Sequence, residues 1–240
     1  MQNFKTLFAI ALFAIAINSC TNSKNGTVPP PRIETVTTAE QQKAVTPDII
    51  IQRLKEGNQR FTENSITARD HSKLVRSAAY GQYPKSVVLS CLDSRIPVED
   101  VFDKGIGDMF VARNAGNIVN EDVLGSMEYA CKVAGAKLIL VMGHSNCGAI
   151  KSAVDDVQLG NITAMLAKIK PAVAASQNFE GEKKSKNEAF TDLVGKTNVL
   201  NSIEIIKLKS TVLKEMIDKG EIKIIGAYYD IKTGKVTFIE

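Results

Sequence analysis

Two short apolar runs, each followed by residues with reactive side chains, constrain the fold of this chain most strongly. Residues 86–90 (Ser-Val-Val-Leu-Ser) precede Cys-Leu-Asp-Ser-Arg, and residues 137–142 (Lys-Leu-Ile-Leu-Val-Met) precede Gly-His-Ser-Asn-Cys. Short runs of this kind are typical of strands that are buried on both faces of a parallel sheet. Because ligands bind beyond the carboxyl ends of such strands, the sequence predicts that the reactive side chains meet at one edge of the sheet.

The residues brought to that edge have the chemistry of a catalytic zinc site. Cys91, His144 and Cys147 have side chains of the types that bind zinc, and a catalytic zinc site has three protein ligands with a fourth position open. Asp93 and Arg95 lie on the same short loop as Cys91, where the carboxylate can accept a hydrogen bond from water and the guanidinium keeps it ionised and oriented. The sequence therefore predicts a metal centre that activates water for attack on a small electrophile.

The rest of the chain predicts a single α/β domain over residues 46–240, with a mostly parallel central sheet flanked by helices. The length of 240 residues suits one such domain. The net charge of +4 comes from scattered Lys and Arg, without the basic block of a nucleic-acid groove, so no nucleic-acid partner is expected. Further predicted elements are a helix from Pro47, a short helix at 97–102, a strand at 108–112, a helix at 123–134 capped by Asp122, and a hairpin of strands at 222–228 and 235–239.

The amino terminus has the form of an export signal. Lys5 precedes an apolar run over residues 7–17, which is too short for a stable membrane span. The run leads to Ser19-Cys20, and this pattern resembles the lipobox of bacterial lipoproteins. We expect residues 1–19 to be a signal peptide, Cys20 to be lipidated, and residues 20–45 to form a flexible tether. The protein is then exported to the bacterial cell envelope, in the periplasm, on a lipid anchor; ordinary secretion with nearby cleavage is the alternative.

Export to an oxidising compartment raises the question of disulfides. Cys131 has helical spacing with apolar neighbours, so we expect it to be a buried core residue. A disulfide between Cys91 and Cys147 in a binding or redox module is an alternative to metal ligation, although the two cysteines do not form a Cys-x-x-Cys motif.

From about Pro47 to its end, the chain resembles the β-class carbonic anhydrases. The motifs are Cys-x-Asp-Ser-Arg at residues 91–95, Phe-Val-x-Arg-Asn at 110–114, His-x-x-Cys-Gly at 144–148, and Gly-Ala-Tyr-Tyr-Asp at 226–230. Each motif alone is weakly specific, whereas all four in this order are highly specific. The resemblance implies a mostly parallel sheet flanked by helices, and dimers or larger assemblies with each active site between subunits.

The resemblance also implies roles for individual residues. It implies one zinc ion per subunit, held by Cys91, His144 and Cys147, reversible hydration of CO2 to bicarbonate and a proton, and Asp93 and Arg95 as the catalytic pair. In a closed state, Asp93 would become the fourth zinc ligand. The implied substrate-binding residues are Gln82, Phe110, Ala115, Tyr129, which acts across the dimer interface, and Gly148 through its backbone N–H. Two alternative hypotheses remain: the protein is a related zinc hydrolase acting on COS or CS2, or it is a module in which zinc only stabilises the fold.

Overall fold

The computed structural model describes residues 34–239, and its centre is a five-stranded sheet with the strand order β2-β1-β3-β4-β5. The strands are β1 (Ser86–Cys91), β2 (Met109–Asn114), β3 (Leu138–His144), β4 (Lys223–Tyr229) and β5 (Val236–Ile239). The pairs among β1 to β4 are parallel, and β5 is antiparallel to β4. The predicted α/β class with a mostly parallel sheet is therefore confirmed.

Helices cover both faces of this sheet. They are α1 (Ala39–Ala44), α2 (Pro47–Thr62), α3 (His71–Ala78), α4 (Val98–Val101), α5 (Glu121–Glu128), α6 (Gly148–Val154), α7 (Gly160–Ala167), α8 (Lys170–Ala175), α9 (Glu188–Lys209) and α10 (Thr211–Asp218). A 3-10 turn, Ala115–Asn117, follows β2, and a π-helical turn, Tyr129–Val133, continues α5.

The alternation of side chains along β1 divides the core between the two faces. Val87 and Leu89 pack in a cluster with residues of α5, α9 and α10. Val88 points to the other face, where it joins Leu54 of α2 and residues of α4. All residues of β1 and β3 are buried, as expected for central strands that are covered on both sides. Each fully buried Val or Leu contributes about 1.5–3 kcal/mol to the stability of the fold. The core therefore holds β1 and β3, and with them the ends of both strands, in a fixed position.

The prediction of a flexible tether over residues 20–45 is wrong for residues 34–45, which pack against the domain. Thr37 and Val45 are buried, and α1 lies between them. Gln42 Nε2 donates to the carbonyls of Pro84 and Ala134 at 2.6 and 2.7 Å. These bonds to distant carbonyls hold a polar segment that has no apolar periodicity of its own. The folded part thus includes Glu34 rather than starting at residue 46.

The helix starts depend on capping side chains. The predicted start of α2 is confirmed, since Thr46 accepts from Ile49 N and proline is the first helical residue. The predicted cap of α5 is wrong: Asn120, not Asp122, accepts the hydrogen bond from Val123 N. Asp122 instead lies in the first turn, where a negative charge is favourable at a helix N-terminus.

Candidate metal centre

The ends of β1 and β3 deliver the ligand side chains to one place. Cys91 is the last residue of β1, and His144 is the last residue of the adjacent parallel strand β3. Cys147 follows three residues later as the N-cap of α6. Because Ser90 pairs with Met142, the two strands end within one residue of each other, and the three ligand side chains are buried together.

The three donor atoms fit a tetrahedral zinc ion. The two Sγ atoms and a His144 ring nitrogen lie within 4.8 Å of one another, and the sulfurs of Cys91 and Cys147 are 3.9 Å apart. Two sulfurs at about 2.3 Å from a tetrahedral ion are about 3.8 Å apart, so this spacing needs no rearrangement. Two thiolates with one imidazole are a donor set that zinc prefers.

The imidazole of His144 is oriented for ligation through Nε2. Nδ1 lies 2.9 Å from the carbonyl oxygen of Ser145, which can only accept, so the proton is on Nδ1. Nε2 therefore has a free lone pair, and it is buried without a hydrogen-bond partner. A buried polar atom without a partner is costly unless it binds something, and here it lies beside two sulfurs.

The sulfurs of Cys91 and Cys147 affect each other's protonation. Their contact lowers the pKa of Cys91 and raises the pKa of Cys147, and burial also raises the pKa of Cys147. The backbone N–H of Gly116 also donates to Cys91 Sγ, at 3.4 Å. The pair thus already stabilises one thiolate, and a divalent cation would favour the second.

Asp93 lies beside this cluster as an ionised carboxylate. Arg95 donates to Oδ1 from Nε at 2.8 Å and to Oδ2 from Nη2 at 2.7 Å, which is the bidentate arrangement of a guanidinium with a carboxylate. The hydrogen bonds from Arg95 lower the pKa of Asp93 to about 2. Oδ2 also lies 3.9 Å from His144 Nε2. The two oxygens of this carboxylate are therefore held in a fixed direction by Arg95, and they border the space next to the ligand atoms.

Arg113 is a site residue that the sequence interpretation missed. Its Nε donates to the carbonyl of Cys91 at 3.0 Å, and its Nη2 donates to the carbonyl of Asp93 at 2.6 Å. The guanidinium thus bridges the backbone of the ligand and of the base. The available signal was the Phe-Val-x-Arg-Asn motif at residues 110–114, which contains Arg113. The structure places this residue directly beside β1, where it pairs with Ser90.

Two of the expected substrate-binding residues lie near the ligands. Ala115 directly follows Asn114, which pairs with Cys91, and it begins the turn that contains Gly116. Gly148 follows Cys147 as the first residue of α6, and it is exposed. A Cβ atom added to Gly148 would meet nothing within 4 Å, so open space adjoins the cluster there.

The other three expected substrate-binding residues are not brought to the ligands within one chain. Phe110 pairs with Val87, four residues before Cys91, which corresponds to about 13 Å along the strand. The ring of Tyr129 contacts that of Phe110, with centroids 6.3 Å apart. Gln82 is exposed and precedes the start of β1, at the opposite end of the strand from the cluster. The expected lipidation site, Cys20, lies outside the described residues.

Comparison with known proteins identifies relatives over most of the chain. The carbonic anhydrase family profile matches residues 86–236. The chain is 33% identical over 188 residues to carbonic anhydrase 2 of Mycobacterium tuberculosis, which covers 76% of this chain and 87% of that protein. It is 30% identical over 191 residues to the carbonic anhydrase of Pseudomonas aeruginosa, with 77% and 86% covered.

Solved structures give the same result. The β-carbonic anhydrase CcaA superposes with a TM-score of 0.62 at 26% identity, covering 80% of this chain and 92% of that chain. The tetrameric β-carbonic anhydrases of Sordaria macrospora share the fold, with a TM-score of 0.62 at 22% identity and with 80% and 94% covered. The chain therefore belongs to the β class of the carbonic anhydrase family and is an enzyme of that class.

Proposed function

We propose that this protein catalyses the reversible hydration of CO2 to bicarbonate and a proton, with one zinc ion held by Cys91, His144 and Cys147. The observation that carries the proposal is the juxtaposition of two elements. Three donor atoms lie within 4.8 Å of one another, and an ionised carboxylate lies 3.9 Å from one of them. A site that only stabilised the fold would have no use for that carboxylate.

Zinc, when bound, supplies Lewis acidity, which lowers the pKa of water from about 16 to about 7 in favourable sites. The protein supplies the orientation. Oδ2 of Asp93 can accept a hydrogen bond from the reacting water. An ionised carboxylate has about four lone-pair sites, and Arg95 uses three of them, two on Oδ1 and one on Oδ2. This bond directs the remaining lone pair of the water towards CO2.

Arg95 and Arg113 keep this base in position. Arg95 fixes the carboxylate of Asp93 in its ionised form, and Arg113 holds the backbone carbonyls of Cys91 and Asp93. Both oxygens of Asp93 accept from Arg95, so this is the arrangement with the base directed by the guanidinium. In a closed state with Asp93 as fourth ligand, the metal would compete with Arg95 for the carboxylate of Asp93.

The substitution Asp93→Asn tests the role of the base. We expect zinc stoichiometry to be unchanged, because the three ligands remain, and CO2 hydration in stopped-flow measurements to fall about 10²–10⁴-fold. Asp218→Asn changes an exposed carboxylate that pairs with Lys214, and it serves as the matched control. Cys147→Ser should lower the zinc content itself. Full activity of zinc-loaded Asp93→Asn would refute the proposed role, and COS supplied in parallel tests the alternative substrate.

The expected pocket residues at the other end of the sheet suggest a site that is completed by a second copy of the chain. Tyr129 is 49% exposed although it contacts Phe110. Among the structural relatives are carbonic anhydrases described as tetrameric. We propose that Gln82, Phe110 and Tyr129 of one subunit contact substrate at the metal centre of another.

Mixing two inactive variants tests this arrangement. Gln82→Ala and Asp93→Asn subunits, each poorly active alone, should regain activity after exchange, because each mixed dimer contains one intact site. The control is to mix each variant with itself. Absence of any recovery, with subunit exchange shown by mass spectrometry, would place Gln82 in the same chain as its metal centre or outside the site.

The proposal for localisation is export with a lipid anchor at Cys20. It is supported by the apolar run at residues 7–17 and by Ser19 before the cysteine. Within residues 34–239, no helix combines the length and apolar character needed to cross a bilayer. Incorporation of labelled palmitate in cells should be abolished by Cys20→Ala and unaffected by Cys131→Ala. Equal labelling of Cys20→Ala and the parent would contradict the anchor.

A further inference from the structure

Helix α9 presents two buried polar side chains to the turn that follows β2. Asn198 Nδ2 donates to the carbonyl of Gly116 at 2.8 Å, and Ser202 Oγ donates to the carbonyl of Asn117 at 3.2 Å. The two residues are one helical turn apart, so they lie on the same face of α9. Both are almost fully buried, at 2% and 3% exposure. Because buried polar groups are costly unless they are hydrogen-bonded, these bonds fix the position of the turn relative to the helix.

The sequence of the turn suits its backbone conformation. Gly116 and Asn117 both have a left-handed backbone, with φ of 70° and 43°. Glycine adopts this conformation readily and asparagine tolerates it. A Cβ atom on Gly116 would lie 2.7 Å from Ile169 Cδ1, so the turn also fits closely against α8 and its approach. The next carbonyl, of Ile118, accepts from Asn114 Nδ2 at 2.8 Å. Three consecutive carbonyls are therefore each held by a side chain.

The backbone amide in this turn is directed at a metal ligand. The N–H of Gly116 donates to Cys91 Sγ at 3.4 Å. We infer that Asn198 is a positioning residue of the metal centre: it holds Gly116 so that the amide hydrogen-bonds the Cys91 sulfur. This inference rests on the proposed metal centre. A hydrogen bond to a ligand sulfur withdraws electron density from it, and partners outside the ligand set commonly change metal affinity about 10–100-fold.

Among the polar residues of α9, Asn198 is the one that hydrogen-bonds Gly116 itself. Ser202 holds Asn117, one residue further from the amide in question. Thr191 is equally buried, but its hydroxyl donates to the carbonyl of Glu188 in its own helix. Removing these three side chains one at a time should therefore have graded effects on Cys91, largest for Asn198 and absent for Thr191.

The experiment uses purified, reduced protein loaded with Zn²⁺ or with Co²⁺ as a spectroscopic probe. Asn198→Leu keeps the number and branching of the side-chain heavy atoms and removes the donor, Asn198→Ala removes the side chain beyond Cβ, and Thr191→Val is the matched control. We expect both Asn198 variants to bind metal about tenfold more weakly, because Gly116 then no longer holds the Cys91 sulfur in its orientation. This lies at the lower end of the range for such partners because Asn198 acts through Gly116. Their sulfur-to-cobalt charge-transfer band should move to lower energy, because the sulfur lone pairs lose a hydrogen bond. Thr191→Val should change neither quantity.

The outcomes separate this inference from the proposed function. If the parent protein binds no metal although its thiols are reduced, the metal centre and the inference both fail. If the parent binds metal and a folded Asn198 variant has the same affinity and band position, the inference alone is overturned. An equal band shift in Thr191→Val overturns it as well. If neither Asn198 variant folds, Ser202→Ala must show a smaller shift in the same direction, and an unchanged band then decides against the inference.

Discussion

Asp103 provides a sharp test of how the segment after the catalytic loop is held. Its buried carboxylate accepts four hydrogen bonds: from Arg60 Nε at 2.5 Å, from the backbone and hydroxyl of Thr67 at 2.9 and 2.7 Å, and from Arg69 Nη2 at 2.6 Å. The side chain of Asp103 is 0% exposed. The residue therefore ties the end of α4 to α2 and to the loop before α3, close to the segment that carries Asp93 and Arg95.

We predict that Asp103→Asn lowers the free energy of unfolding at pH 7 by about 3 kcal/mol. Removing one partner of a buried ion pair costs about 3–5 kcal/mol, because the other charge stays buried without compensation. Arg60 is 19% exposed and can partly rehydrate, so the lower end applies. Asp103 has a φ of 48°, and asparagine tolerates this left-handed backbone as well as aspartate does. A change in backbone strain therefore does not contribute to the predicted loss of stability.

The pH dependence of this loss follows from the pKa of Asp103. Burial would raise the pKa, but the hydrogen bonds from Arg60 and Thr67 outweigh it and lower the value from 3.8 to about 2. Because the folded carboxyl has the lower pKa, its stabilisation is present in full above about pH 5 and is lost as the pH falls from 3.8 through 2. The difference between the ordinary pKa of 3.8 and the pKa of about 2 in the folded protein corresponds to about 2.5 kcal/mol of stability.

Urea unfolding of the parent and of Asp103→Asn at a series of pH values measures this directly. At each pH, the difference between the two proteins removes the contributions of other carboxylates and of the metal. The difference should be close to constant from pH 7 to pH 5 and should shrink by most of its value between pH 4 and pH 2. A difference below about 1 kcal/mol at pH 7, or one that does not change with pH, would refute the reasoning.

Three other substitutions test the packing and the hydrogen bonds of the scaffold. A Cβ atom on Gly57 would lie 1.9 Å from the carbonyl oxygen of Phe102, so Gly57→Ala should destabilise the protein by at least about 3 kcal/mol in urea unfolding, whereas Gly148→Ala, with nothing within 4 Å, should leave stability unchanged. Gln42→Ala removes two hydrogen bonds to distant carbonyls, so limited proteolysis should cut residues 34–45 faster than in the parent; an unchanged rate would show that those bonds do not hold the segment.

The sequence predicted the ligand cluster because the information is local. Cys91 and His144 each come at the end of an apolar run that is typical of a buried strand, and parallel strands end at a common edge. The structure extends both strands slightly further than predicted, so that Cys91 and His144 are the last strand residues themselves. The motif spacing then places Cys147 at the cap of α6. Neither step requires knowledge of any distant contact.

Features that depend on distant partners could not be predicted in this way. Residues 34–45 have a polar composition that is typical of a linker, yet Thr37 donates to Asp108 and Gln42 reaches two remote carbonyls. Asn198 lies in a stretch with no recognisable chemistry, and only the tertiary structure shows that it contacts the turn behind Cys91. Side-chain bonds to backbone carbonyls far away in sequence leave no periodicity to detect.

The register of the sheet explains why one chain brings the metal ligands together but does not bring all the expected pocket residues to them. A parallel strand separates its two ends by about 3.3 Å per residue, so Phe110, paired with Val87, cannot approach the cluster at Cys91 without breaking β1 or β2. Metal ligation and the base Asp93 need only the carboxyl end of the sheet. The apolar contact of Phe110 with Tyr129 belongs to the other end. A single chain thus brings the three proposed metal ligands together, whereas the proposed pocket that includes Phe110 needs a second chain.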